Sequence, residues 1–126
     1  MHISQIDAIT LFVEDLAAAK AFYQNVFDLP VAFEDGNSAV FQFGPTVINL
    51  LAVDAADELV RPEPVGARSG PRAVYTLSVS DVDAECATLA ERGVELLNGP
   101  MDRPWGIRTA SFQDPAGHVW EIAAKL

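Results

Sequence analysis

Cysteine is almost absent from this chain: Cys86 stands alone among 126 residues. A lone thiol excludes an internal disulfide and a thiolate metal cluster, and it fits a reducing compartment. It falls mid-pattern in an expected helix, so it reads as a small buried or half-buried residue and not as a nucleophile. Positive charge is also scarce, with 8 Lys and Arg against 18 Asp and Glu and a formal net charge of -10. Such a surface repels phosphate backbones and excludes nucleic acid as the expected partner. It leaves cationic and neutral small molecules open, and acidity also serves solubility by itself. No apolar run is long enough to cross a bilayer, and Met1 to Gln5 lack the basic-then-apolar pattern of a leader. The expected location is therefore cytoplasmic, with no membrane contact.

What is present is ordinary globular material. Half of the residues are hydrophobic and 21% are charged, and the length is that of a single domain, residues 1–126. Ile6 to Val13 has the length and β-branched content of a strand. Asp15 then offers an N-cap, and Leu16, Ala19, Phe22, Tyr23, Val26 and Phe27 follow at helical spacing. Three short strands are expected at Val31 to Glu34, Ala39 to Phe43 and Val47 to Val53, separated by Asp35-Gly36-Asn37 and Gly44-Pro45.

The same order then recurs. Val74 to Val79 reads as a strand, and Asp81 caps a helix carrying Val82, Cys86, Leu89 and Ala90 that stops at Gly93. Val94 to Leu97, Arg108 to Gln113 and Val119 to Ala123 supply three more strands. Thr10, Val13, Asp15 and Leu16 correspond in register to Thr76, Val79, Asp81 and Val82, and Tyr23 corresponds to Leu89. This internal repeat divides the chain into module one (about 1–53), a linker (about 54–72) with one helical turn near Ala55 to Leu59, and module two (about 73–126). Neither half could bury both its sheet face and its helix alone, so an α+β fold of two βαβββ modules paired around a shared interior is expected.

The chain closes on a hairpin whose turn is Asp114-Pro115-Ala116-Gly117, where Pro115 presets one turn dihedral and Gly117 supplies the left-handed one. That Glu121-bearing hairpin, the Val-Glu-Asp-Leu run at Val13 to Leu16, the Phe22-Tyr23 pair and the duplication together resemble the vicinal-oxygen-chelate superfamily. Its members include glyoxalase I, extradiol dioxygenases and bleomycin-resistance proteins. The resemblance spans essentially the whole chain and implies curved mixed sheets around a cleft, usually within a homodimer.

In metal-dependent members four strands supply ligands, and the resemblance carries those positions to Ala8, Asn49, Val74 and Glu121. Only Glu121 matches. A divalent metal needs several His or carboxylate donors converging on one point, and a one-residue slip would turn a strand's ligands to the other face. His2 precedes the first strand, and His118, of opposite parity to Glu121, reads as a solvent-facing hairpin residue. No metal and no other cofactor is expected.

Alternation from Ala8 places Thr10 and Phe12 in the cleft and Ile9, Leu11 and Val13 against a helix. Val47, Asn49 and Leu51, then Val74, Thr76 and Ser78, then Val119, Glu121 and Ala123 also point inward. The expected ligand-binding residues are Phe12, Phe33, Phe41, Phe43, Asn49, Thr76, Trp105 and Glu121, in a largely apolar pocket without a nucleophile–base pair. Three points stay open. Phe33, Phe41 and Phe43 either line the cleft or pack under a helix. Trp105, in the loop Asn98 to Gly106, either stacks on a flat ligand or covers one end of the core. Glu121 either pairs with Arg108 or Arg103, receives a ligand cation, or stays solvated.

Resemblance to the antibiotic-binding members implies a non-catalytic protein that sequesters a hydrophobic or aromatic small molecule in a dimer cleft. The alternatives are a glyoxalase-like lyase, isomerase or dioxygenase with an atypical metal site, and an accessory protein whose cleft is vestigial.

Overall fold

Alternation along each strand decides which sheet face meets a helix, and the computed structural model, which describes residues 1–126, shows it in two compact units. The units are Met1–Arg68 and Ser69–Leu126, with the boundary inside the expected linker. In the first, β1 (Ala8–Val13), α1 (Leu16–Val26), β2 (Phe33–Glu34), β3 (Ser38–Phe43), β4 (Thr46–Ala52) and α2 (Val53–Val60) follow in order. The strands form an open mixed sheet in the order β1-β4-β3-β2. β1 runs parallel to β4 with Leu11 beside Leu50, and β3 is antiparallel to β4 with Phe41 beside Ile48.

Leu11, Val13, Ala39, Phe41, Ile48 and Leu50 are buried on one sheet face, and Ala19, Tyr23 and Val26 of α1 are buried with them. Aromatic rings fill the space between: Tyr23 lies 5.6 Å from Phe41 and 5.2 Å from Phe27, and Phe27 lies 5.1 Å from Phe43. Burying such side chains contributes roughly 2 to 3 kcal/mol each. The helix starts where the Asp15 carboxylate accepts from the Ala18 N–H at 3.0 Å. After Phe27, Asp28 adopts a left-handed conformation (φ 55°) and turns the chain away.

The second unit repeats the plan with β5 (Val74–Ser78), α3 (Val82–Glu91), β6 (Leu96–Arg103), β7 (Ile107–Gln113) and β8 (Val119–Lys125). Its sheet order, β5-β8-β7-β6, is that of the first sheet element for element. The match extends to the helix cap, since Asp81 accepts from Ala84 N–H at 3.0 Å as Asp15 does from Ala18. Trp120, Phe112, Ile122 and Ala110 are buried toward α3 together with Leu89 and Val82, and Tyr75 lies 5.3 Å from Trp120.

Three expectations need correction. The linker holds a full helix, α2, in place of one turn; Ala56, wholly buried, anchors it. The strand expected at Val94 to Leu97 starts at Leu96 and continues to Arg103, so most of the expected loop Asn98 to Gly106 is strand. Pro100 is tolerated because β6 is an edge strand and Pro100 falls in its register shift against β7, between the paired residues Asn98 and Met101. In module one the strand expected from Val31 is only Phe33–Glu34, although Ala32 N–H still reaches the Val40 carbonyl at 2.8 Å.

Candidate functional site

Each sheet has one face against its module's long helix, α1 or α3, and the polar handles lie on the other face, helix-free in the sense that it faces away from that helix. In the first unit a row crosses the sheet through Phe33, Val40, Asn49 and Thr10, each paired with the next. Phe33 is exposed at the sheet's edge. Asn49 Nδ2 stands 3.5 Å from Thr10 Oγ1, while Asn49 Oδ1 is buried without a hydrogen-bond partner. Phe12 is half-buried beside Leu51 on the same face, and Ala8 pairs with Val47.

The corresponding row in the second unit runs Thr76, Glu121, Ser111, Asn98. Thr76 donates its hydroxyl to Glu121 Oε1 at 2.9 Å, so the carboxylate leans toward β5. On the other side, Arg103 reaches back over β7. Its Nε donates to Thr109 Oγ1 at 2.9 Å and its Nη2 to Asn98 Oδ1 at 2.8 Å. A polar strip is thus built from four strands, with a carboxylate at one end and a guanidinium at the other.

A bulge makes this strip possible. Asn98 pairs with Ser111 and Met101 with Thr109, so three steps along β6 match two along β7. The extra residue reverses the alternation and brings Asn98 and Arg103 to one face although their numbers differ in parity. Gly99 sits in the bulge at φ 84°, where a Cβ would meet the Thr109 carbonyl oxygen and stand 2.8 Å from Ala110 Cα. Only glycine fits there.

Of the expected ligand-binding residues, Phe12, Phe33 and Asn49 share the helix-free face of the first unit, and Thr76 and Glu121 that of the second. Phe41 and Phe43 do not join them. Both lie on the helix face in contact with Tyr23, and Phe41 is fully buried, because Phe41 and Phe43 share the parity of the core residue Ala39. Trp105 stands in the tight turn between β6 and β7, closed by Gly106 N–H on the Arg103 carbonyl at 3.1 Å. It is 67% exposed, so it does not cover the core of its own unit.

Glu121 makes no ion pair. Arg108, one of its expected partners, projects from the opposite face of β7 and holds Asp83 and Asp102, each at 2.9 Å. Those carboxylates, Asp83 first, raise its already high pKa further. His118 is also not the solvent-facing residue expected: its Nδ1 lies 2.9 Å from Oδ2 of buried Asp114. Burial, followed by the Asp83 charge, pushes the Cys86 thiol up, which suits an inert cysteine.

Sequence reasoning missed Asn98, Arg103, Thr109 and Ser111 as members of one strip. The signal was the Gly99-Pro100 pair, which marks a bulged edge strand as readily as a loop.

A repeated βαβββ plan with the order β1-β4-β3-β2 and β5-β8-β7-β6 agrees with a sequence-family match over residues 5–122 to the Glyoxalase/Bleomycin resistance protein/Dioxygenase superfamily. The chain belongs to that superfamily. The uncharacterized protein YraH of Bacillus subtilis is 33% identical over 123 residues, covering 94% of this chain and 96% of its own. A crystal structure of a glyoxalase/bleomycin resistance protein/dioxygenase from Nocardioides superposes with a TM-score of 0.85 at 25% identity, over all of this chain and 86% of that one. A lactoylglutathione lyase from Agrobacterium tumefaciens shares the fold with a TM-score of 0.79 at 24% identity, over 98% of this chain and 95% of that one.

The residues at the superfamily's metal-ligand positions do not fit a metal. Ala8 and Val74 have no donor atom and Asn49 has a neutral amide, while Glu121 is engaged by Thr76. Within neither unit do three His, Cys, Asp or Glu side chains gather. A single carboxylate does not make a divalent site. No helix of the chain is long and apolar enough to cross a membrane.

Proposed function

We propose that this superfamily member is a non-catalytic binder that sequesters a hydrophobic or aromatic small molecule on the helix-free faces of its sheets. One observation carries the reading. The positions where metal-dependent relatives hold their ligands carry Ala8, Asn49 and Val74, and the same faces offer apolar side chains with only sparse polar handles. Each such face supplies burial for a ligand, with Thr10 and Asn49 as polar handles on the first sheet and Thr76 and Glu121 on the second. The net charge of -10 favours approach by cationic drugs over long distances. Two copies of the chain closing over the ligand would supply more enclosure than one, and each sheet leaves free edges at which a second copy could add.

The test is a thermal-shift screen of the full chain against aromatic natural products. A ligand that binds only the folded state raises the midpoint with concentration. The reading is supported by a saturable rise with the compound recovered unchanged. It fails if the compound is converted, or if no compound shifts the midpoint. Sedimentation at micromolar concentration tests the pairing of copies, and a monomer would contradict it.

Retention of Glu121 favours a second reading, a glyoxalase-like lyase, isomerase or dioxygenase with an atypical metal site, and the fold shared with a lactoylglutathione lyase is compatible with it. Turnover that depends on added metal and disappears in Glu121→Gln would select it.

A further inference from the structure

Arg103 has no acidic partner in a chain where acids outnumber bases by 18 to 8. Lys20 holds Glu34, Arg61 holds Asp57, and Arg108 holds two carboxylates. The half-buried Arg103 guanidinium is held instead by two neutral acceptors, Thr109 Oγ1 and Asn98 Oδ1. Thr109 lies fully buried in β7 and Asn98 is set by the β6 bulge, so both anchors sit on sheet strands. Glu121, the carboxylate on the same face, is turned the other way by Thr76.

The occupied donors matter as much as the partners. Nε–H and one N–H of Nη2 form the side edge of the guanidinium, and both are used. The outer edge, one N–H of Nη1 and the second N–H of Nη2, keeps two parallel donors at the spacing of a carboxylate's oxygens. A guanidinium fixed along one edge by neutral groups keeps its full charge for whatever meets the other edge. Its orientation is also set in advance, which lowers the entropic cost of binding. Trp105, two residues further along in the turn of the same hairpin, is an exposed aromatic side chain.

From this arrangement we infer that Arg103, oriented by Asn98 and Thr109, is the anion anchor of the binding face, and that the ligand carries a carboxylate next to an aromatic ring. The inference rests on the proposed binding function and deepens it. It also reverses the expectation drawn from net charge: overall acidity favours cations at long range, whereas the contact on this face is with an anion.

The experiment titrates the full chain with benzoate and, separately, with benzyl alcohol, its neutral analogue, followed by NMR chemical-shift changes at the Trp105 indole and the backbone of β6 and β7. The expected result is that benzoate binds at least ten-fold more tightly than benzyl alcohol. Arg103→Gln should erase that preference, weakening benzoate at least ten-fold more than benzyl alcohol. Arg103→Lys, which keeps the charge and the fold but lacks the two-donor edge, should retain only part of it. Equal affinity for the two probes in the wild type overturns the inference, as does undiminished benzoate binding in folded Arg103→Gln or full preference in Arg103→Lys. Benzyl alcohol binding without a benzoate preference overturns the anion anchor and leaves the aromatic-binding reading standing. Binding of neither probe counts against both.

Discussion

His118 and Asp114 lock the final hairpin through one side-chain contact, Nδ1 to Oδ2 at 2.9 Å, with Asp114 Oδ1 also accepting from the backbone N–H of Ala116 and of His118. An ionised carboxylate only accepts, so the contact calls for the Nδ1–H form of the imidazole. The turn thus uses its histidine internally.

Asp114→Ala should leave two backbone donors and the imidazole without their acceptor, and should cost about 3 kcal/mol. Asp114→Asn keeps an acceptor oxygen and should cost less. Urea denaturation of both variants against the wild type checks the order. Equal stability of Asp114→Ala and wild type would remove the carboxylate from the hairpin's support.

Trp105 and Tyr23 are both large aromatics with opposite expected behaviour. Tyr23 is fully buried among Phe41, Phe27 and Phe43, so Tyr23→Ala should destabilise by about 3 to 5 kcal/mol. Trp105 is exposed, and Trp105→Ala should change stability by no more than about 0.5 kcal/mol. Its loss should appear in binding, by roughly 2 kcal/mol or about thirty-fold for a flat ligand. Calorimetry on the same two variants reads both quantities. A strongly destabilised Trp105→Ala would assign the ring to the core.

Asp35 provides a pH test. The Asn37 backbone N–H donates to its carboxylate at 2.8 Å, and Ser38 adds its own N–H and hydroxyl. The Asn37 bond, then the Ser38 side chain, hold its pKa below the ordinary aspartate value. A lowered folded-state value means stabilisation that is present above the unfolded pKa and lost as pH falls through the folded one. Asp35→Ala should therefore be less stable than wild type at neutral pH, with the gap closing in acid. Denaturation midpoints across that range measure it, and a gap independent of pH would contradict the assignment.

Metal content follows from the donor set. Purified without chelator, the chain should carry no stoichiometric zinc, nickel, manganese or iron, because Ala8, Asn49 and Val74 supply neither imidazole nor carboxylate. Elemental analysis near one metal per chain, lost in Glu121→Ala, would show that Glu121 recruits ligands from elsewhere.

What the sequence determined by itself was local and periodic. Asp15 and Asp81 announced the two helix starts, alternation from Ala8 and Val74 sorted the strands' faces, and the repeated order implied two copies of one plan. Resemblance added the superfamily, its four ligand positions, and the three of them, Ala8, Asn49 and Val74, at which the ligand is missing. Each of these depends on neighbours within a few residues or on a fixed period, which a linear chain displays. Tertiary structure alone decided the rest. Phe41 and Phe43 went under α1 because β3's register against β4 aligns them with Ile48 and Thr46. The strip from Thr76 to Asn98 exists only because four strands lie side by side. Arg103 joined it through a bulge that shifts parity by one, and a single extra residue in a strand leaves no mark in its hydrophobic pattern until its partner strand is in place.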